Sequence, residues 1–219
     1  MSGKPVTAVV FDLDGVLIDS IELMRAAFQS AYAEVVGDGP APFEEYLKQL
    51  GRHMPDILAI MALPARMYPA FVRHSNALVH LTPAAPGAHR LLDELADAGL
   101  ALAVATGKSR ERAEQVLAVV GLRDRLDAVC GSDEVPAGKP APDIVELALH
   151  RLGAAPAEAI MVGDSPLDLR SGRAAGTRTA AALWGQGSAE ELLACEPDLA
   201  AASCDDLLAR LSALIGVRR

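Results

Sequence analysis

The sequence predicts an α/β fold: a three-layer core built on a mainly parallel sheet, interrupted once by an α-helical insertion. Three observations carry this expectation. After residue 86, helical and strand-like stretches alternate strictly through the rest of the 219-residue chain. Alternation of this kind implies right-handed crossovers and a sheet covered on both faces. Residues 20–84 show helical patterning and no strand-like run. Residues 6–11, a Val-rich apolar run ahead of that block, resemble the buried strands that come after it. The helical block is therefore inserted after the first strand, with the core predicted at residues 1–17 and 86–219 and the insertion at 18–85.

Each element has a local justification. The first strand, 6–11, leads into a loop at 12–19. Ser20 is placed to cap a helix running to about residue 36, which Gly37-Asp38-Gly39-Pro40 ends. Helices follow at 43–50, 55–62 and 65–81, separated by Gly51, Pro55 and Pro64, with Pro69 expected to break or kink the last. Pro83-Ala84-Ala85-Pro86-Gly87 closes the block. Beyond it the pattern predicts strands at 100–105, 128–131, 159–162, 179–183 and 198–202. The intervening helices fall at 87–98, 109–120, 143–152, 166–175, 189–194 and 205–215.

Composition narrows the function. Apolar residues make up 51% of the chain, enough for a packed core. The 29 acidic residues outnumber the 20 basic ones, a net charge of −9 that argues against nucleic-acid binding. A small anionic substrate stays compatible, because a local group of Lys and Arg binds phosphate inside an acidic protein. Three widely spaced cysteines, Cys130, Cys195 and Cys204, predict reduced thiols, not a zinc site or a disulfide framework. No apolar run has the roughly 18 residues of a membrane span. The first residues run directly into a strand pattern without a signal-like segment, so a cytoplasmic enzyme is expected.

Polar sites fall just beyond the carboxyl ends of four predicted strands, the rim where open parallel sheets bind ligands. Asp12 and Asp14, two residues apart on a backbone leaving a strand, point to one side while that geometry persists. With Asp164 nearby, such carboxylates repel unless a cation intervenes, and hard oxygen ligands suit Mg²⁺. A carboxylate can attack phosphorus, and a second can protonate the leaving oxygen and then activate water. Asp-Leu-Asp-Gly alone also reads as an ordinary strand-to-turn exit. Thr106-Gly107-Lys108-Ser109 ends a strand and opens a helix. Thr106 and the following N–H groups are placed for phosphate, Ser109 for capping, and Lys108 for the surface. Three residues after Ser109, where a capping box calls for an acid or its amide, stands Arg112. Lys139, in the stiff Gly138-Lys139-Pro140-Ala141-Pro142-Asp143 loop, can neutralise a phosphoryl group, with Asp143 expected to cap the next helix. Asp168, one turn after Asp164, is placed to orient Lys139 or a metal-bound water, or simply to favour its helix N-terminus.

Phe11-Asp12-Leu13-Asp14-Gly15-Val16-Leu17, Ala105-Thr106-Gly107, Gly138-Lys139-Pro140 and Gly163-Asp164-Ser165-Pro166-Leu167-Asp168 resemble, in order, the four motifs of the haloacid dehalogenase superfamily. The resemblance covers essentially the whole chain. It implies a Rossmann-like core with a first-position helical cap, as in phosphoglycolate phosphatase-like and beta-phosphoglucomutase-like members. It further implies Asp12 as nucleophile, Asp14 as general acid and base, and phosphate held by Thr106, Gly107 and Lys139. Mg²⁺ would be held by Asp12, the Asp14 backbone carbonyl and Asp164. Haloacid dehalogenases proper lack the second aspartate and the metal, so Asp14 argues for phosphoryl chemistry.

Specificity is expected from the insertion, hinged at 16–20 and 82–87, with Arg52 in Gly51-Arg52-His53 contacting the leaving group. His53 is the weaker candidate, and Trp184 reads as packing. Tyr32-Ala33-Glu34-Val35-Val36-Gly37-Asp38-Gly39, Phe43-Glu44-Glu45-Tyr46 and Phe71-Val72-Arg73 resemble phosphatases associated with aminohydroxybenzoate biosynthesis in actinomycete antibiotic pathways. That likeness implies an amino-sugar-like phosphate. The expected partner is thus a small phosphorylated metabolite, with no nucleic acid or membrane, bound by a monomer or homodimer. A beta-phosphoglucomutase-like phosphomutase and a phosphate-binding regulatory module are the alternatives; the insertion and Asp164 argue against the second.

Overall fold

The computed structural model describes residues 4–215. Six strands form one sheet: β1 (Ala8–Phe11), β2 (Ala101–Thr106), β3 (Ala128–Gly131), β4 (Ala159–Gly163), β5 (Arg178–Ala182) and β6 (Leu199–Ala201). Their order is β3-β2-β1-β4-β5-β6, and every neighbouring pair is parallel. The chain winds outward from β1 to β3 on one side, then crosses back to lay β4 against β1. The crevice between β1 and β4 is the topological switch point, where a Rossmann-like sheet binds its ligand.

Alternation along β1 explains the three layers. Val9 and Phe11 face one core, shared with α5 (Ala88–Asp97), α6 (Arg110–Val119) and α10 (Cys204–Ser212). Ala8 and Val10 face the other, shared with α7 (Asp143–Leu152). Strands buried on both faces lack a polar side, as their continuous apolar runs predict. The sheet edge beyond β4 is covered by α8 (Pro166–Ala174) and α9 (Ala189–Ala194).

Between β1 and α5 lie α1 (Ile21–Val35), α2 (Phe43–Leu47), α3 (Met54–Ile60) and α4 (Met67–Leu78), then a 3₁₀ turn at Val79–Leu81. They share a separate apolar cluster that includes Met24, Phe28, Tyr46, Ile57 and Phe71. Phe28 and Tyr46 stack with ring centroids 4.8 Å apart, an arrangement worth about 0.5–1.5 kcal/mol beyond its buried area. The two connections to the sheet bond to each other: Asp19 N–H donates to the Pro83 carbonyl (3.1 Å) and Ala85 N–H to that of Leu17 (2.9 Å).

Local expectations fail at four positions, and Ser109 holds the cap position of α6 without a side-chain capping bond. Pro69 does not break α4, because it is the helix's third residue, where the missing N–H has no intrahelical acceptor to lose. Ser20 stands at the start of α1 without capping it; its hydroxyl donates instead to Asp14 Oδ1. Asp143 is the first residue of α7, and Pro142 occupies the cap position. Cys130 and Cys204 are buried thiols and Cys195 is half-buried; all three are free. Among the described residues no helix is long and apolar enough to cross a membrane.

Candidate active site

The site forms where strand ends stop pairing and the chain must turn. After Phe11, Asp12 still donates its N–H to Val162 (2.8 Å), so it extends the ladder to the lip of the β1–β4 crevice. The Leu13 carbonyl then accepts from Leu17 and Ile18 (3.0 and 3.1 Å), folding 13–18 into a tight turn. Gly15 has φ +77°, and any Cβ there would collide with the Asp164 carboxylate. Glycine thus lets the loop after β1 close against the loop after β4.

Lys139 comes to this crevice fully buried. Its Nζ donates to Asp12 Oδ1 (2.8 Å) and to Asp168 Oδ1 (2.6 Å). The other Asp168 oxygen accepts from the Ser165 N–H (3.1 Å) and hydroxyl (2.6 Å), a capping box for α8. Asp168 thus bonds both the helix N-terminus and the lysine. Burial of Lys139 disfavours its charge, but Asp12 and Asp168 outweigh this and raise its pKa. Burial pushes the Asp12 carboxyl up to about 7; Lys139 opposes the rise, while Asp168 and Asp14 add to it. Asp164 is raised well above the usual carboxylate range, first by burial and then by repulsion from Asp168 and Asp12. Its Oδ2 accepts the Gln186 N–H (2.7 Å), an anchor from the loop after β5.

Lys108 overturns its expected place at the surface. Its Nζ lies 2.6 and 2.5 Å from the two Asp14 oxygens, and only 12% of its side chain is exposed. Burial would raise the Asp14 pKa, but the charge and hydrogen bonds of Lys108, with help from Ser20, bring it below its ordinary value. A cation beside a helix N-terminus opposes the helix dipole. That mismatch was the available sign that Lys108 had a specific partner. Thr106, buried at the end of β2, accepts the Lys108 N–H (3.3 Å).

The insertion roofs this floor. A Cβ on Gly107 would stand 2.5 Å from the Arg52 carbonyl oxygen, so the loop between α2 and α3 rests directly on the core. The cleft, about 40 Å³, is lined below by Asp12, Asp14, Thr106 and Lys108 and above by Met24, Tyr46 and Arg52. Arg52 Nε donates to Gln49 Oε1 (3.2 Å). His53 meets the Tyr68 ring edge-on at 6.0 Å, the packing role, and Trp184 donates its indole N–H to the Val16 carbonyl (3.1 Å).

Asp12, Asp164 and Asp168 bring one oxygen each within 4.8 Å of one another. The Asp14 carboxylate is outside this group, bound to Ser20 and Lys108. Asp168 already uses both oxygens. The four carboxylates face two lysines, and burial with mutual repulsion drives Asp12 and Asp164 toward protonation. A hard divalent cation between those two would reverse that pressure, so the donor set fits Mg²⁺.

The sequence profile of haloacid dehalogenase-like hydrolases matches residues 9–182. Pyrophosphatase PpaX of Bacillus velezensis is 36% identical over 213 residues, spanning 95% of this chain and 97% of that protein. The Bacillus pumilus PpaX is 34% identical, spanning 97% and 100%. Among solved structures, a hydrolase from Pseudomonas syringae superposes with a TM-score of 0.86 at 25% identity, over 96% of this chain and all of that one. CbbY from Rhodobacter sphaeroides, solved with phosphate, gives 0.82 at 28% identity, over 94% and 99%.

Proposed function

Since the chain belongs to the haloacid dehalogenase-like hydrolase family, we propose that it hydrolyses a small phosphorylated metabolite through a phosphoryl group carried on Asp12. The observation that carries this reading is the Lys139 ammonium bridging Asp12 and Asp168 at the switch point. It holds Asp12 toward the cleft and offsets part of the charge an incoming phosphate adds.

Asp12 attacks phosphorus as the bond to the leaving oxygen breaks, and Asp14 supplies the proton that oxygen needs. Asp14 now faces Lys108; a phosphoryl oxygen competing for that lysine frees the carboxyl to hold a proton. Asp14 then takes a proton from the water that attacks the Asp12 phosphoryl group. Thr106 and Gly107 contribute phosphate donors. Mg²⁺, held by Asp12, Asp164 and the Asp14 carbonyl, supplies charge neutralisation when bound. Residues 18–85 act as a cap that excludes bulk water, with Arg52 at the leaving-group end.

The substrate range of this reading includes sugar phosphates, phosphoglycolate and the amino-sugar-like phosphate of aminohydroxybenzoate antibiotic biosynthesis. The named function of the PpaX relatives adds pyrophosphate. The reading includes a cytoplasmic enzyme, monomeric or homodimeric. Asp12→Asn is expected to lower Mg²⁺-dependent phosphate release by at least about 10³-fold with the circular dichroism spectrum unchanged; substantial turnover in that variant removes Asp12 as nucleophile. Phosphate release without hexose phosphate isomerisation separates hydrolysis from mutase action.

A further inference from the structure

Arg112 brings an unsatisfied donor to the cleft. It rises from the core helix α6, yet its Nη2 donates to Ser75 Oγ on the insertion (2.9 Å), and its guanidinium lies 5.4 Å from the Phe71 ring centroid. Arg112 lines the same cleft as Asp14 and Lys108. Among the described residues, its Nε is the single buried side-chain nitrogen or oxygen without a hydrogen-bond partner. Buried polar atoms are nearly always satisfied, and a guanidinium cannot shed its proton to escape the cost. A buried, unpaired donor beside the cleft leaves one hydrogen bond for an incoming acceptor to make.

We infer that Arg112 receives the leaving group, and that the preferred substrate carries a second anionic oxygen group, phosphate or carboxylate, on that side. This rests on the phosphatase reading and narrows it, favouring pyrophosphate-like or phosphoglycolate-like substrates over esters of neutral sugars. The Nε–H donates to the anion as a charge-assisted hydrogen bond. Because Nη2 is already held by Ser75, the anion is gripped best with the insertion down, so recognition and closure reinforce each other.

The test measures kcat/KM with Mg²⁺ on pyrophosphate, phosphoglycolate and phenyl phosphate, whose leaving group bears no second charged group. Wild type, Arg112→Met and Arg112→Lys are compared. Arg112→Met is expected to lose about 10- to 100-fold on the better anionic substrate and less than about 3-fold on phenyl phosphate. Arg112→Lys should fall between on the anionic substrate. Retained phenyl phosphate turnover shows in the same assay that the variants fold. Equal losses on all three substrates, no loss on any, or a wild-type preference for phenyl phosphate overturns the assignment. Which anionic substrate is preferred distinguishes phosphate from carboxylate. A wild type inactive on all three overturns the phosphatase reading itself, an outcome distinct from an active enzyme indifferent to Arg112.

Discussion

The floor and roof of the cleft are built on opposite principles. Below, Asp12, Asp14 and Asp168 are paired with Lys108 and Lys139, and Asp164 is crowded beside them. Above, the insertion presents mainly apolar side chains, among them Met24, Tyr46, Ile57 and Phe71, packed by aromatic stacking. Interdependent buried charges tolerate almost no change, whereas apolar surfaces accept volume-conserving replacement. On the proposed reading, the difference assigns reaction type to the floor and leaves substrate choice free to vary in the roof and where it meets the core.

Breaking the floor should cost most. Lys139→Met leaves Asp12 and Asp168 buried without their shared cation; phosphatase activity should vanish, and urea unfolding should show a loss of about 3–5 kcal/mol. A variant as stable as wild type would mean that the buried pair contributes little. In the roof, Phe28→Ala should cost about 3–5 kcal/mol, confined to the insertion. Hydrogen exchange should accelerate in α1 and α4 while β1, β2 and β4 stay protected; uniform acceleration would mean that floor and roof unfold as one. At the seam, Gly107→Ala pushes the new methyl against the Arg52 carbonyl. Lifting the roof should lower kcat/KM by about tenfold with little change in melting temperature, and unchanged kinetics would deny that the seam must close.

The smallest effect belongs outside both regions. Hydrogen bonds from Arg151, opposed by burial, hold Glu134 at about 2. A depressed carboxyl stabilises above its unfolded pKa, so this contribution is present above roughly pH 4.5 and is lost as pH falls through about 2. Glu134→Gln should therefore cost under about 1 kcal/mol at neutral pH for so exposed a pair. Its gap to wild type should close between those limits in acid unfolding; a constant gap would assign the cost to packing.

The sheet was legible because doubly buried strands and their helices write strong periods: 128–131 and 143–152 appear at the anticipated residues. Asp12, Thr106, Lys139 and Asp164 were legible through their places after strands. Ser20 was not, and Lys108 left only its mismatch with the helix dipole, because a side chain's reach across a loop leaves no local period; both bind Asp14. Arg112 did leave a mark, as a base where a capping box calls for an acid, but its unpaired nitrogen is a property of packing alone.

The paired connections at Asp19–Pro83 and Leu17–Ala85 bring the insertion's entry and exit side by side. A segment with adjoining ends can be exchanged like a cassette, since the host sheet senses only a short gap between two fixed points. On the proposed reading, grafting another helical insertion at this neck is a direct route to a new substrate range with the original chemistry left in place.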